Sequence, residues 1–282
     1  MNAGGPMRQL SLLISIATSC AFPALAQPTF TPLVGPSCTG TYVYPIPHLS
    51  TEADAATTRY TTVLIIADLN PTTAASIQAC AYNGGTYIGG TSFTLPINNR
   101  IYATDPPTPG TPAPGTRPIA LASLFNLIQL PTNSAFPAVL TSNVPLEIEY
   151  GFVGPTNRLF AFAHPALAGT VLGLAHIGSL PGLYPGFLIV SNPNNSAVTY
   201  NLTFYNDDGT VVVQLGSLSL AAFQRQRFDL SSITDSSGNM ISLRSYYSAR
   251  INSTAGGPIG AVSFIVTPLG DVDINSMSAI VP

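Results

Sequence analysis

Two stretches of this 282-residue chain, residues 64–85 and residues 187–209, share one order of elements. Each has an apolar run, an Asn-Pro turn, an alternating run and a turn that contains Tyr-Asn and Gly. A repeated pattern of this size indicates two copies of one supersecondary unit, because each copy has to bury the same apolar face. The repeat therefore restricts the chain to architectures that can be built twice in tandem.

The alternating run of the second copy shows why the unit consists of strands. Between residues 198 and 204, apolar side chains alternate with Thr199, Asn201 and Thr203. A period of two puts alternate side chains on opposite faces of a strand. Residues 206–209 (Asn-Asp-Asp-Gly) then supply side chains that tolerate positive φ, as a hairpin turn requires. Several such strands at regular spacing predict a β-sandwich.

The repeat extends beyond this first pair of stretches. Residues 86–101 match residues 210–228, and residues 145–152 match residues 258–265. In both copies these segments have the apolar alternation of further strands. The shared order of all the segments predicts two copies of one sandwich.

The pattern resembles the immunoglobulin-like or fibronectin-like β-sandwich modules of secreted bacterial proteins, over residues 60–155 and 186–280. This resemblance implies an all-β fold of two tandem immunoglobulin-like β-sandwich domains, over residues 27–180 and 181–282, after a signal peptide. Such modules commonly act in adhesion, as spacers or in surface assemblies. They bring no active site that can be transferred by analogy.

The first copy carries an insertion. Residues 104–118 hold six prolines and predict an extended, polyproline-like surface loop. Residues 119–130 follow as an apolar segment that fits either a short helix or a strand. Residues 160–162 and 171–175 are apolar, which favours closing strands over a flexible linker.

The start of the chain has the features of a secretory signal peptide over residues 1–26. Arg8 precedes an apolar run at residues 10–17, and an Ala-x-Ala site ends at Ala26. The run is shorter than the ~20 apolar residues that span a bilayer. An alternative is a lipoprotein box at residues 17–20, which would attach a lipid to Cys20. We expect an exported protein of the periplasm, cell surface or exterior, with no transmembrane segment in the mature chain.

Charge is sparse. Charged residues are 7% of the chain, against about 25% in typical proteins, and every basic side chain other than histidine is arginine. No stretch combines basic and aromatic residues, so we expect no nucleic acid partner. Few charges favour a surface that is covered in an assembly, whereas a neutral Ser/Thr-rich surface is the alternative. We therefore expect other protein subunits or a cell-surface component as partners, including a possible homo-oligomer.

Two cysteines, Cys38 and Cys80, follow the predicted cleavage site. In an oxidising compartment such a pair predicts a disulfide, and free buried thiols are the alternative. The loop of roughly 40 residues would contribute about 4 kcal/mol in the chain-entropy model. Without a nearby histidine the pair is a poor zinc site.

The sequence shows no catalytic pattern. His48, His164 and His176 lack metal-binding spacings, and no nucleophile elbow of the Gly-x-Ser-x-Gly type occurs. Glu147 and Glu149 share one face of a predicted strand, where paired carboxylates could act as acid and base. Inward-facing apolar neighbours favour a solvated strand face instead. We therefore expect no catalytic residue and no cofactor.

Weaker binding signals have simpler explanations. Residues 206–208 and 271–275 offer oxygen ligands for calcium, but they fit a hairpin turn and a strand edge better. Tyr246 and Tyr247 could stack on a sugar, although core packing is the commoner role of aromatic residues in a sandwich. We expect no metal site.

Three functions fit these observations. The favoured hypothesis is a non-enzymatic structural or adhesive protein that acts at the cell surface or in an extracellular assembly. A periplasmic or secreted binding module for carbohydrate or peptide is the second. A secreted hydrolase with its site in residues 104–130 is the third, because loops on rigid scaffolds often carry function.

Overall fold

The computed structural model describes residues 28–35, 38–50, 61–104, 119–127, 135–153, 159–163, 167–179, 186–235, 237–241, 246–266, 272–276 and 278–279. The predicted signal peptide, Cys20, His164 and all of the proline-rich insertion except Thr104 lie outside these residues. The described part of the chain is mostly strand and holds one four-residue helix, which confirms the all-β prediction. It holds no helix with the length and hydropathy of a membrane span.

We call the elements up to residue 163 the first unit. They are β1 (Thr31–Pro32), β2 (Tyr42–Leu49), β3 (Thr61–Ala67), β4 (Ala75–Asn83), β5 (Thr86–Leu95), β6 (Arg100–Thr104), β7 (Ile119–Ala120), α1 (Leu121–Leu124), β8 (Phe136–Ser142), β9 (Glu147–Val153) and β10 (Leu159–Ala163).

The elements from residue 171 onward form the second unit. They are β11 (Val171–Gly178), β12 (Gly186–Ser191), β13 (Val198–Tyr205), β14 (Val211–Leu220), β15 (Arg225–Asp229), β16 (Ile233–Thr234), β17 (Met240–Ile241), β18 (Tyr246–Ala255), β19 (Gly260–Val266), β20 (Val272–Ser276) and β21 (Ser278–Ala279).

The two units repeat one strand order. In the first unit the sheets run β1-β5-β4-β8-β2 and β10-β9-β3-β6-β7. In the second they run β14-β13-β18-β11-β21 and β20-β19-β12-β15. Four strands of each sheet therefore have counterparts in the other unit. In the first sheet, β5-β4-β8-β2 corresponds to β14-β13-β18-β11. In the second sheet, β10-β9-β3-β6 corresponds to β20-β19-β12-β15. The repeat in the sequence is thus also a repeat in topology, while the immunoglobulin-like assignment stays a prediction.

Strand β11 lies before residue 181, the predicted start of the second domain. It nevertheless pairs with β18, with Leu172 opposite Ile251. Leu172, Leu174 and Ile177 are buried in the core of the second unit. The apolar run at 171–175 is thus a strand, as predicted, and it closes the second unit.

Each unit buries its inward side chains between its sheets. In the second unit, Tyr200, Leu202 and Phe204 of β13 are fully buried, while Thr199 and Asn201 on the other face are half-buried and Thr203 on that face is 9% exposed. The predicted period of two in β13 therefore sets which side chains form the core.

The turn after the first repeated strand has a capping side chain in both units. Asp68 follows β3 and accepts hydrogen bonds from the Asn70 and Ala75 amides at 2.9 and 2.8 Å. Asn192 follows β12, where its Oδ1 accepts from the Asn194 amide at 2.9 Å. The structural counterpart of Asn192 is therefore Asp68 and not Asn70, so the Asn-Pro match is two residues out of register.

The segment after the insertion combines the two structures that its sequence left open. Ile119 and Ala120 pair in parallel with Ala103 and Thr104 of β6, and the four-residue α1 follows at once. Leu121, Leu124 and Phe125 are buried in the first core, so the segment closes one side of the first unit.

The two units share apolar packing. Ile189, Val262 and Phe264 of the second unit belong to the buried cluster of the first. At this junction Gly260 lies so close to Pro45 that an added Cβ would be 2.3 Å from the Pro45 Cγ. A glycine is therefore required where β19 of the second unit crosses β2 of the first.

Candidate functional site

The disulfide predicted between Cys38 and Cys80 is present, with the Cα atoms 5.9 Å apart. Cys80 lies in a small buried cluster with Tyr82, Val139 and Phe223. Phe223 belongs to the second unit, so the disulfide holds the part of the first unit that contacts its neighbour. Its role in this position is structural.

His48 lies at the same junction. Its Nδ1 is 2.7 Å from Nη1 of Arg225, and its ring centroid is 5.3 Å from that of Phe264. Burial lowers the pKa of His48 well below its usual value, and the charges of Arg225 and Arg227 lower it further. A neutral imidazole can accept the bond from arginine, which only donates. His48 thus joins the two units.

The other predicted site residues are not brought into one site. Of the glutamates, Glu147 is exposed and Glu149 half-buried, whereas Ile148 and Tyr150 between and beyond them are buried. The two carboxylates therefore lie on the outer face of β9, as the simpler interpretation predicts. His176 lies in β11, and the structure does not describe its side chain.

The oxygen-rich turn at residues 206–209 closes on itself. The Asp208 carboxylate accepts bonds from the Thr210 hydroxyl and amide, which lower the pKa of Asp208. Residues 272–275 lie in β20. No group of three or more histidine, cysteine, aspartate or glutamate side chains that could hold a metal occurs in the described part of the chain. Tyr247 packs against the second core, which favours the packing role.

A cleft lies between the edges of β14 and β15 in the second unit, with a volume of about 400 Å³. Its lining comes from β14, β15, the turn after β15, and β16 with the residue that follows it. The lining residues are Leu215, Gly216, Leu218, Gln226, Arg227, Phe228, Asp229, Ser232, Ile233, Thr234 and Asp235.

A hydrogen bond from a core residue fixes one polar side chain of the cleft. The Tyr200 hydroxyl donates a 2.8 Å hydrogen bond to Oε1 of Gln226, and burial raises the pKa of Tyr200. The phenol therefore stays a donor and fixes the Gln226 amide. Arg227 alternates with Gln226 along β15, so its guanidinium lies on the other face, 3.7 Å from the centroid of the Phe187 ring.

A β-bulge shapes the mouth of the cleft. Leu202 pairs with Leu215 and Tyr200 with Leu218, so β14 has one extra residue between these pairs. Ser217 takes a positive φ of 55°, and its amide donates to Oδ1 of Asn201 at 2.9 Å. The sequence analysis missed this site. Its signal is the Gly-Ser that interrupts the alternation of β14, since an isolated glycine in a strand often marks a bulge.

Both carboxylates of the cleft are engaged in turns. Asp229 accepts bonds from the Ser231 amide and hydroxyl at 2.9 and 2.6 Å. Asp235 accepts from the Asn239 and Ser237 amides, which lower the pKa of Asp235. The cleft is therefore equipped to bind through apolar contact and neutral hydrogen bonds.

The same place in the first unit is occupied by the chain itself. On β5, Thr31 pairs with Ser92 and Pro32 with Thr91, and the Phe30 ring packs edge-on to Phe93 with centroids 5.0 Å apart. On β6 the outer edge carries β7. In the second unit, no described strand pairs with the outer edge of β14 or of β15.

Neither a family model nor a curated protein matches this chain. Solved structures that match include "a putative secreted protein from Parabacteroides distasonis", which is 11% identical with a TM-score of 0.26. The match covers 88% of this chain and 86% of that chain. A likeness at this TM-score carries no argument about the function of this chain.

Proposed function

We propose that this chain is an exported, non-enzymatic structural or adhesive protein that joins other protein subunits or a cell-surface component. The observation that carries the proposal is the outer edge of the ten-residue strand β14. No described strand pairs with this edge, and it lies next to the cleft. An edge strand exposes main-chain donors and acceptors and is a ready template for pairing with another chain.

The junction between the units supports a structural role. Tyr82 and Phe223 stack across it, and Phe264 packs into the core of the first unit. Units that share packed apolar surface move together, because separation would expose that surface to water. Such a junction would transmit load along an assembly.

The sparse charge is consistent with assembly. With only 7% charged residues, the chain has little electrostatic repulsion to keep copies apart. A docking edge with few charges also brings little desolvation cost when it is covered.

The mass of residues 27–282 by light scattering, with electron micrographs of the same sample, tests the proposal. We expect oligomers or filaments whose mass increases with protein concentration. A protein that stays monomeric at every concentration and binds no cell surface would contradict the structural role.

A second candidate, a binding module for carbohydrate or peptide, is favoured by the cleft itself. Its volume falls within the range of about 300–1,000 Å³ that ligand pockets usually have. Gln226 offers hydrogen bonds beside the apolar Phe228. Screening on glycan and peptide arrays, with Gln226→Ala as the matched variant, tests this function. Binding that Gln226→Ala leaves unchanged would place the ligand elsewhere.

A further inference from the structure

The pairing registers show which residues of the two units are equivalent. In the first unit Ala75 pairs with Leu95 and Ile77 with Phe93. In the second, Val198 pairs with Leu220 and Tyr200 with Leu218. In both strand pairs the last paired residue is a buried leucine, Leu95 or Leu220, and the next inward-facing pair lies two positions before it. Leu218 of β14 is therefore the counterpart of Phe93 of β5.

The counterpart positions differ in what covers them. In the first unit Phe93 carries the ring of Phe30, and the Leu33 amide donates to the Gly90 carbonyl at 2.9 Å. In the second unit Leu218 lines the 400 Å³ cleft. The second unit thus has a cavity and an edge without a described partner at the place where the first unit holds a strand and an aromatic ring.

We propose that the second unit accepts residues 30–33 of a second copy of this chain. The donated segment adds as an antiparallel strand to the outer edge of β14 and places Phe30 in the cleft beside Leu218. This inference rests on the proposed assembly function and names its contact. Main-chain hydrogen bonds supply affinity in such strand addition, and the pocket for the aromatic ring supplies specificity.

The donor segment has a short ladder in its own unit. Strand β1 consists only of Thr31 and Pro32, and both side chains are exposed. Pro32 has no amide hydrogen to contribute to the ladder. Phe30 and Leu33 pack on the first unit, and the Tyr87 hydroxyl donates to the Leu33 carbonyl at 3.0 Å. Donation therefore exchanges these contacts for those of the β14 edge and the cleft, and exchange of an identical element between copies is a low-cost route to assembly.

One position of the acceptor strand β14 carries a side chain where its counterpart in β5 is a glycine. An added Cβ at Gly89 of β5 would lie 2.5 Å from the Phe125 carbonyl oxygen. The counterpart of Gly89 is Val213, since Ala81 pairs with Gly89 and Phe204 with Val213. The Val213 side chain prevents a segment from packing on β14 as closely as the end of α1 packs on Gly89 of β5. A strand that pairs with the outer edge of β14 does not need this space.

The geometry of donation implies open-ended growth. The donor lies on the first unit and the acceptor on the second, so the contact is heterologous. A heterologous contact produces rings where the rotation closes and filaments where it does not. Each copy would use both surfaces at once.

An intermolecular disulfide tests the contact. Thr31 pairs with Ser92, whose counterpart is the bulge at Gly216 and Ser217. We would mix full-length mature chains that carry Thr31→Cys with chains that carry Ser217→Cys under mild oxidation. Non-reducing electrophoresis and mass spectrometry should show a Thr31→Cys to Ser217→Cys adduct. The matched acceptor Ser237→Cys is exposed in the β16–β17 hairpin outside the cleft, and it should give several-fold less adduct.

A blocking variant provides the second measurement. Leu218 is half-buried and lines the cleft. Leu218→Trp should fill the cleft with a ring of the acceptor's own and weaken self-association about tenfold or more, as loss of an anchoring aromatic contact does. Ser219→Trp places the same ring on the outer face of β14 as a control and should leave association unchanged.

The outcomes separate this inference from the proposed function. Selective adduct formation together with loss of oligomers in Leu218→Trp supports the donated strand. Oligomers that persist in Leu218→Trp, with no preference for Ser217→Cys, overturn the donated strand and leave assembly through another surface. A wild-type chain that is monomeric at all concentrations overturns both.

Discussion

Tyr82 of β4 and Phe223 of the β14–β15 turn stack face to face, with ring centroids 4.0 Å apart and planes inclined by 5°. The pair joins the two units, and it lies in the buried cluster that contains Cys80. Phe223 takes a positive φ of 55°, which is uncommon for a bulky residue. The stacked contact adds to the hydrogen bonds that hold this turn, from the Asn192 side-chain amide to the Ala221 carbonyl and from the Phe223 amide to the Asn194 carbonyl.

Replacing Phe223 tests how much the junction contributes to stability. Phe223→Ala removes a side chain that is 8% exposed together with its stacking on Tyr82, and should lower the free energy of unfolding by about 3 kcal/mol. Urea unfolding followed by circular dichroism measures the change. Val211→Ala, at a side chain that is 55% exposed, is the control and should stay within about 0.5 kcal/mol. Equal stability of the two variants would show that the junction contributes little.

Reduction of the Cys38–Cys80 bridge should destabilise the same region. The cysteines are 42 residues apart, and the chain-entropy model gives about 4 kcal/mol for a loop of this size. Unfolding midpoints with and without dithiothreitol measure the loss. The Cys38→Ser and Cys80→Ser variants should each match the reduced wild type, and a reductant effect that persists in these variants would point to another cause.

The repeated unit and its strands could be predicted from the sequence because strand alternation and turn residues are local signals. Tyr200 and Phe204 were identified as inward-facing from their spacing alone. The equivalence of Asp68 with Asn192 was not identified, because the conspicuous Asn-Pro at Asn70 suggested a different register. A carboxylate and an amide can cap the same turn, so a difference in residue type concealed the match.

The junction and the cleft depend on contacts between residues that are distant in the chain. The contact of His48 with Arg225 spans 177 positions, which no local pattern encodes. The cleft forms between the edges of two different sheets. Its local sequence signal is the Gly-Ser of the bulge, which interrupts the alternation of β14. Where two sheets or two units meet, spacing alone therefore does not identify the partners.

Stability should depend on pH through His48. The pKa of His48 in the folded protein lies well below the 6.5 of an unperturbed histidine, so the unfolded chain binds the proton more readily. The contribution of a neutral His48 is therefore complete above pH 6.5 and decreases as pH falls below it. The slope approaches about 1.4 kcal/mol per pH unit for one proton.

Urea unfolding between pH 5 and pH 6.5 is the measurement, since most carboxylates stay ionised in this range. His48→Gln keeps a side-chain oxygen that can accept from Arg225 and removes the titration, so it should flatten the pH dependence. Val211→Gln, at a side chain that is 55% exposed, is the control and should retain the wild-type slope. A slope that His48→Gln leaves intact would assign the proton uptake to another group.

Two glycines provide a matched test of how closely the units approach. Gly260 is buried, and a Cβ there would lie 2.3 Å from Cγ and 2.4 Å from Cβ of Pro45. The proline ring cannot rotate away, so Gly260→Ala forces the strands apart and should cost about 1–3 kcal/mol, as overpacking of a core does. Gly216→Ala meets only Oδ1 of Asn201 at 3.7 Å and should change stability by less than about 0.5 kcal/mol. Thermal unfolding of the two variants measures the difference. If Gly260→Ala were as stable as Gly216→Ala, Pro45 and Gly260 would not be in contact in solution, and the units would be joined mainly through Tyr82 and Phe223.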